Sequence, residues 1–241
     1  MQNLSYFHSW QKRSFDLCLS LILVCCLLPV FLGVVLLVLV TTGSPVLFWQ
    51  ERMGHKKKPF QMLKFRTMHP DAEKQKKKLE KHNEAPWPMF KMKHDPRFTR
   101  VGRYLSHLGL DELPQFFQIL TGKMSFVGPR PLPLSEAMKL PKNWDFRYQV
   151  KPGILSEWAL APDRYKSLNR WRELELATLK NGSLKTDLQL ILRSIFFMLR
   201  IDRRFFFDKS QVRSSRSGPR VSTQNTSVSS RKRTMLNSFA Q

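Results

Sequence analysis

The residues best suited to chemistry are the adjacent carboxylates Asp111 and Glu112, which lie between the cations Arg97, Arg100, Arg103 on one side and Arg130 on the other. An apolar periodicity at Leu113, Phe116, Phe117 and Leu120 predicts a helix over 112–120, with Asp111 at its N-cap and Pro114 tolerated in its first turn. A helix start flanked by arginines is a place where phosphate binds. The same pair also reads as an ordinary cap with a favourable first-turn charge. Side chains one residue apart on a helix diverge by about 100°, so the two carboxylates share a target only if Asp111 has non-helical cap geometry.

Several other chemistries find no support. The three cysteines, Cys18, Cys25 and Cys26, all fall in one apolar run, which excludes a disulfide framework and points to a cytosolic soluble part. No histidine pair has metal-ligand spacing, and there is neither a Gly-rich phosphate loop nor a nucleophile-elbow serine. The chain has 241 residues, enough for one domain with a membrane element and a tail. Its 41 Lys and Arg against 18 Asp and Glu give a net charge of +23, which implies an anionic partner such as lipid head groups, a phosphorylated substrate or nucleic acid.

The elements that must position the carboxylates begin with residues 17–40, an uncharged run of 24 residues, longer than the roughly 20 a membrane-crossing helix needs. Both flanks are basic, with Lys12 and Arg13 before it and Arg52 and Lys56-Lys57-Lys58 after it, so the positive-inside tendency pulls both ends to the cytoplasm. Pro29 divides the run into halves that each reach only about 18 Å. A bent helix that enters and leaves by one face satisfies both facts, and a straight span with a tolerated proline is the competing reading. Beyond it, residues 46–48 and 60–68 predict one or two short strands around a basic turn at 54–59, and residues 70–84 a charged helix without an apolar stripe. A short helix is expected at 103–108, and further helices at 168–179 and 185–199, the last either packed in the core or lying on a membrane surface. From Asp208 the chain is Ser-rich, carries seven basic residues and predicts a disordered tail.

Four motifs, in order, carry a resemblance: Lys64-Phe65-Arg66-Thr67-Met68, Arg97-Phe98-Thr99-Arg100-Val101-Gly102-Arg103, Leu110-Asp111-Glu112-Leu113-Pro114-Gln115 and Met124-Ser125-Phe126-Val127-Gly128-Pro129-Arg130-Pro131. Together with Lys12-Arg13-Ser14-Phe15-Asp16 and Val150-Lys151-Pro152-Gly153-Ile154, they resemble the bacterial sugar transferases, the monotopic polyprenyl-phosphate phosphoglycosyl transferases, over residues 12–199. The resemblance implies an α+β membrane protein with a re-entrant membrane helix over 1–44 bent at Pro29 and a mostly helical cytosolic catalytic domain with a few short strands over 45–207, to which composition adds the basic disordered tail over 208–241. It implies residence in the bacterial inner membrane with the catalytic domain facing the cytoplasm, a UDP-sugar donor, a polyprenyl phosphate acceptor and dependence on Mg²⁺. The reaction it implies initiates the synthesis of a polysaccharide or glycoprotein glycan in two steps. Asp111 is the implied nucleophile, Glu112 its partner in holding the metal, Arg130 a nucleotide or phosphate contact, and Glu175 the counterpart of a later acidic residue. Lys64 and Arg66 are the further candidates for neutralising phosphate. Where the family continues with Thr-Gly and then Trp and Gln, this chain has Leu155-Ser156-Glu157-Trp158-Ala159, which leaves the sugar unspecified. The competing class is a basic membrane-tethered protein that binds lipid or nucleic acid without catalysis, and the motifs argue against nucleic acid as a partner.

Overall fold

The computed structural model describes residues 4–207; the predicted tail from Asp208 lies outside them. The architecture is α+β, mostly helical with a few short strands. A short helix α1 (Leu4–His8) leads into α2 (Trp10–Cys26), whose cap is Ser9, with its Oγ accepting from the Lys12 amide at 3.2 Å. Helix α3 (Leu28–Thr42) follows after a single residue, and the two axes differ by 61°. The bend falls at Leu27, and Pro29 occupies the first turn of α3, where its missing amide hydrogen costs nothing. Within one continuous helix that proline would have left the Cys25 carbonyl unpaired and pushed its ring against it. Among the described residues no single helix is long and apolar enough to cross a membrane, whereas the bent pair is when taken together.

The basic turn closes a hairpin, as its composition predicts. Strand β1 (Leu47–Met53) pairs antiparallel with β2 (Pro59–Phe65), Leu47 opposite Phe65 and Met53 opposite Pro59, so β1 extends well beyond 46–48 and β2 ends before Arg66. The charged helix α4 (Ala72–Leu79) is shorter than the predicted 70–84 and gives way to a 3-10 turn at Glu80–His82. Helix α5 (Arg100–His107) starts earlier than expected because Thr99 caps it, its Oγ1 accepting from the Gly102 amide at 2.9 Å. Gly102 faces the Thr67 carbonyl so closely that a Cβ would lie 1.9 Å from that oxygen, so α5 can approach the chain after β2 only through a glycine.

Helix α6 (Gln115–Leu120) precedes β3 (Ser125–Val127), which pairs in parallel with β4 (Gly153–Leu155). Between these two strands lie α7 (Leu134–Ala137) and a 3-10 segment, Lys142–Gln149; beyond them come α8 (Glu157–Leu160), α9 (Leu168–Lys180) and α10 (Leu184–Phe207). The divergent stretch 155–159 forms a structural corner: Ser156 caps α8, and Trp158 is buried with its indole N–H donating to the Arg164 carbonyl at 3.0 Å.

Three apolar clusters hold the domain. Trp144, Trp158 and Trp171 centre the first, and Met62, Ile119, Phe126 and Leu190 the second. In the third, Val34 and Val38 of α3 pack on Phe65, Leu105 and Leu113. Burying each such side chain is worth about 1.5–3 kcal/mol, so α3 is part of the domain's core along one face. Along its other face Leu32, Leu36 and Val40 are exposed.

Candidate active site

The carboxylate pair sits in a tight turn, which corrects the predicted helix over 112–120. Gly109, at φ +68°, opens a 3-10 turn at Leu110–Glu112, and α6 begins only at Gln115. The reason is Pro114, which has no amide hydrogen to give the Leu110 carbonyl, so that carbonyl accepts from Leu113 instead. Asp111 is therefore inside the turn and makes no cap hydrogen bond. The two side chains nevertheless converge, because one ammonium group reaches both: Lys64 Nζ lies 2.8 Å from Glu112 Oε1 and 3.5 Å from Asp111 Oδ2. Arg130 Nη2 adds a second cation at 3.2 Å from the same Glu112 oxygen.

Burial grades this cluster. The Asp111 side chain is 6% exposed, whereas those of Lys64, Glu112 and Arg130 are 18%, 21% and 34% exposed. Burial pushes the Asp111 carboxyl above the usual range, and the Glu112 charge adds to the effect against the opposing pull of Lys64 and Arg130. Burial acts on Glu112 in the same sense, but Lys64 and Arg130 outweigh it and hold Glu112 at about 2. Two adjacent carboxylates thus differ in proton affinity, the buried one being the more basic.

The supporting elements explain how Lys64 arrives. Gln118 of α6 lies along the hairpin edge: its Oε1 accepts from the Leu63 amide at 3.0 Å and its Nε2 donates to the Gln61 carbonyl. That amide sets the spacing between β2 and the turn that carries Asp111. The buried face of α6 accordingly holds Gln115, Gln118 and Ile119, while Phe117, predicted as part of the apolar face, is exposed beside Phe31 of α3. An apolar groove at the helix bend is lined by Leu23, Leu27, Phe31, Phe117 and Leu113, the residue that follows Glu112 in the chain.

Of the sequence-predicted residues, Lys64, Asp111, Glu112 and Arg130 come together, and two others are placed elsewhere. Arg66 donates to the carbonyls of Thr42, Gly43 and Ser44, so it closes the C-terminal end of α3 and makes no contact with the carboxylate pair. Glu175 is fully buried, accepting from Arg147 Nη2 and Trp171 Nε1, both at 2.9 Å. Its link to the site is indirect, since the same Arg147 nitrogen donates to the Arg130 carbonyl at 2.7 Å. Arg97 is likewise committed, forming a buried pair with Asp95 at 2.6 Å. Gln118 and Arg147 escaped the sequence reading. The available signal for Arg147 was a cation spaced among the core aromatics Trp144, Phe146 and Tyr148.

Among the described residues no cluster of three or more His, Cys, Asp or Glu side chains could hold a metal. Asp111 and Glu112 offer carboxylate oxygens only, a set that fits a hard cation completed by phosphate and water, as Mg²⁺ commonly is.

Comparison with known proteins gives the family. Residues 7–201 match the family model described as bacterial sugar transferase. The galactosyl transferase CpsE of Streptococcus agalactiae is 33% identical over 83% of this chain and 44% of its own length. The exopolysaccharide production protein ExoY of Sinorhizobium fredii is 33% identical over 76% of this chain and 83% of its own. The UDP-glucose:undecaprenyl-phosphate glucose-1-phosphate transferase of Escherichia coli is 31% identical over 77% of this chain and 39% of its own. The chain thus spans under half the length of two of these three relatives. It belongs to the bacterial sugar transferase family.

Proposed function

We propose that the protein is a phosphoglycosyl transferase that moves a sugar 1-phosphate from a UDP-sugar to undecaprenyl phosphate and releases UMP, initiating the assembly of a surface polysaccharide or glycan. The observation that carries this reading is the buried Asp111 beside Glu112, with Lys64 reaching both carboxylates, Arg130 reaching Glu112, and the next residue, Leu113, lining the apolar groove of the helix bend. The cations suit an anionic head group, and the apolar groove suits an apolar tail.

In this reading an Asp111 oxygen attacks the sugar-side phosphorus of the donor, the bond from that phosphorus to the UMP oxygen breaks, and UMP leaves with the electron pair. The resulting acyl phosphate keeps its transfer potential. An oxygen of the lipid phosphate then attacks the same phosphorus, the carboxylate of Asp111 is restored, and a pyrophosphate link joins sugar and lipid. Burial favours Asp111 for the first step by making its carboxylate more basic than an exposed one. Lys64 and Arg130 supply positive charge where the phosphoryl oxygens gather it. Bound Mg²⁺, held by Asp111 and Glu112, would neutralise the donor's pyrophosphate. Glu112, kept ionised by its two cations, is suited to that role and not to attack.

The points at which the bent pair is tied support a re-entrant membrane arrangement. Near the start of α2, Arg13 donates to the carbonyls of Ile119 and Leu120 at 2.7 and 2.8 Å, and at the end of α3, Arg66 holds the carbonyls of residues 42–44. Both ends are bound to one catalytic domain and lie on one side of the bilayer, the cytoplasmic one, with α2 and α3 dipping in as a hairpin. The exposed apolar face of α10, including Leu188, Leu192 and Ile195, rests on the same surface.

The test is incubation of the purified protein with Mg²⁺, UDP-sugars and no acceptor. UMP release with a phosphosugar adduct on Asp111 in the mass spectrum supports the reading; Asp111→Asn should lose at least about 10⁴-fold in turnover. Normal turnover by that variant would eliminate the mechanism.

A further inference from the structure

The guanidinium that meets Glu112 is carried by Gly128-Pro129-Arg130-Pro131, a run in which two of four residues have no amide hydrogen. Such a segment cannot be held as a strand is, by its own donors. Its carbonyls are held in turn: Pro129 accepts from the Gly153 amide at 3.0 Å, Arg130 from Arg147 Nη2 at 2.7 Å, and Pro131 from Arg52 Nη1 at 3.0 Å. Three different elements therefore grip three successive peptide units.

The middle grip is the most deeply buried. Side chains of Arg147 and Glu175 are 2% and 0% exposed, and the Arg147 guanidinium lies 5.2 Å from the ring centre of Trp171. Removing an ion pair from water is a poor route to stability unless its polar atoms are all satisfied. Here Arg147 Nη1 and Glu175 Oε2 are buried without partners, while the single nitrogen Nη2 bridges Glu175 and the Arg130 carbonyl. The satisfied end of the pair is the one aimed at the active-site loop.

We propose that Arg147, oriented by Glu175, is a positioning residue: by holding the Arg130 carbonyl it sets the direction from which the Arg130 guanidinium reaches Glu112 and the donor phosphate. Only the catalytic consequence rests on the phosphotransfer reading; the clamp itself is a property of the fold. Glu175 thereby acquires a role distinct from substrate contact, two hydrogen bonds removed from Arg130 and three from Glu112.

The test uses the full chain in nanodiscs. Replacing both partners, Arg147→Gln with Glu175→Gln, leaves neither charge buried alone, and Arg147→Lys keeps one nitrogen able to bridge both oxygens. The double replacement should lower kcat for UMP release by about ten-fold or more, the scale of one charge-assisted hydrogen bond, and Arg147→Lys should recover part of it. In an Arg130→Ala background the same double replacement should change kcat by less than about two-fold, because the route runs through Arg130. An equal loss in both backgrounds would overturn the proposal. Amide exchange supplies a readout without turnover: the peptide spanning 128–132 should exchange faster in the double variant while β1 and β2 stay unchanged, and an unaltered loop would also overturn it. Should the double variant not fold, Arg147→Lys carries the same cycle and the same exchange measurement. Absence of UMP release by the unaltered protein with every donor would count against the transferase reading, and the exchange result would still decide the clamp.

Discussion

Two clusters in this protein have the same composition, one lysine ammonium between two carboxylates, and different surroundings. Lys12 lies 2.8 Å from Asp16 and 2.7 Å from Asp187, with exposures of 3%, 4% and 0%. Tyr6 donates to Asp187 at 2.9 Å and the Phe126 amide to Asp16 at 3.3 Å, so the cluster is closed and joins α1, α2, β3 and α10. Lys64 between Asp111 and Glu112 is looser, at 3.5 and 2.8 Å, and its further neighbour is a half-open arginine. A sealed ammonium has its charge fully answered by protein and serves as a staple. One that faces water on one side can exchange part of its pairing for an incoming phosphate. Access, not residue type, separates the two clusters.

That contrast can be broken in order of effect. Lys12→Met leaves two buried carboxylates facing each other and should cost about 3–5 kcal/mol, read from unfolding in detergent, with turnover per folded molecule unchanged. A loss below about 1 kcal/mol would mean that the closed cluster is no staple. Lys64→Met should behave inversely, reducing UMP release by about 10²–10³-fold while unfolding shifts by less than about 1 kcal/mol. If stability fell as far as for Lys12, the two clusters would be alike after all.

Arg66→Met sharpens the boundary between them. Its loss frees the carbonyls that end α3 and should cost about 1–3 kcal/mol, with the donor KM unaltered. A ten-fold rise in KM at constant stability would restore the phosphate role that the sequence suggests. The smallest effect concerns pH. Glu112 has its folded value depressed to about 2 from 4.5, so its contribution is present above 4.5 and is lost as pH falls through about 2. Glu112→Gln should therefore lose less stability than the unaltered protein between pH 5 and pH 2.5, measured by denaturant midpoints. Asp111, raised by burial, acts with the opposite sign, which makes a parallel slope in both proteins the informative failure.

Much of the fold was legible locally. The bend of the apolar run follows from Pro29, the hairpin from a basic turn between two apolar segments, and the start of α5 from Thr99, each set by hydrogen-bonding options within about four residues. Even the misread helix over 112–120 had a local cause: apolar spacing outweighed the missing donor of Pro114, although in the chain the donor decides where α6 begins.

The motifs by themselves also determined the family, and they single out the carboxylate pair as the candidate site, because the order of residue types along the chain is read without the fold. What only the tertiary structure decided is which cations serve the pair. Lys64 and Arg66 stand two apart on one extended segment, and the fold sends the first to Glu112 and the second to the end of α3. Glu175 and Arg147 meet each other 28 residues apart, and Tyr6 meets Asp187 across 181. Charge pairing over such separations depends on which surfaces the apolar clusters press together and on how much water they leave, and neither quantity is written in the spacing of the charges.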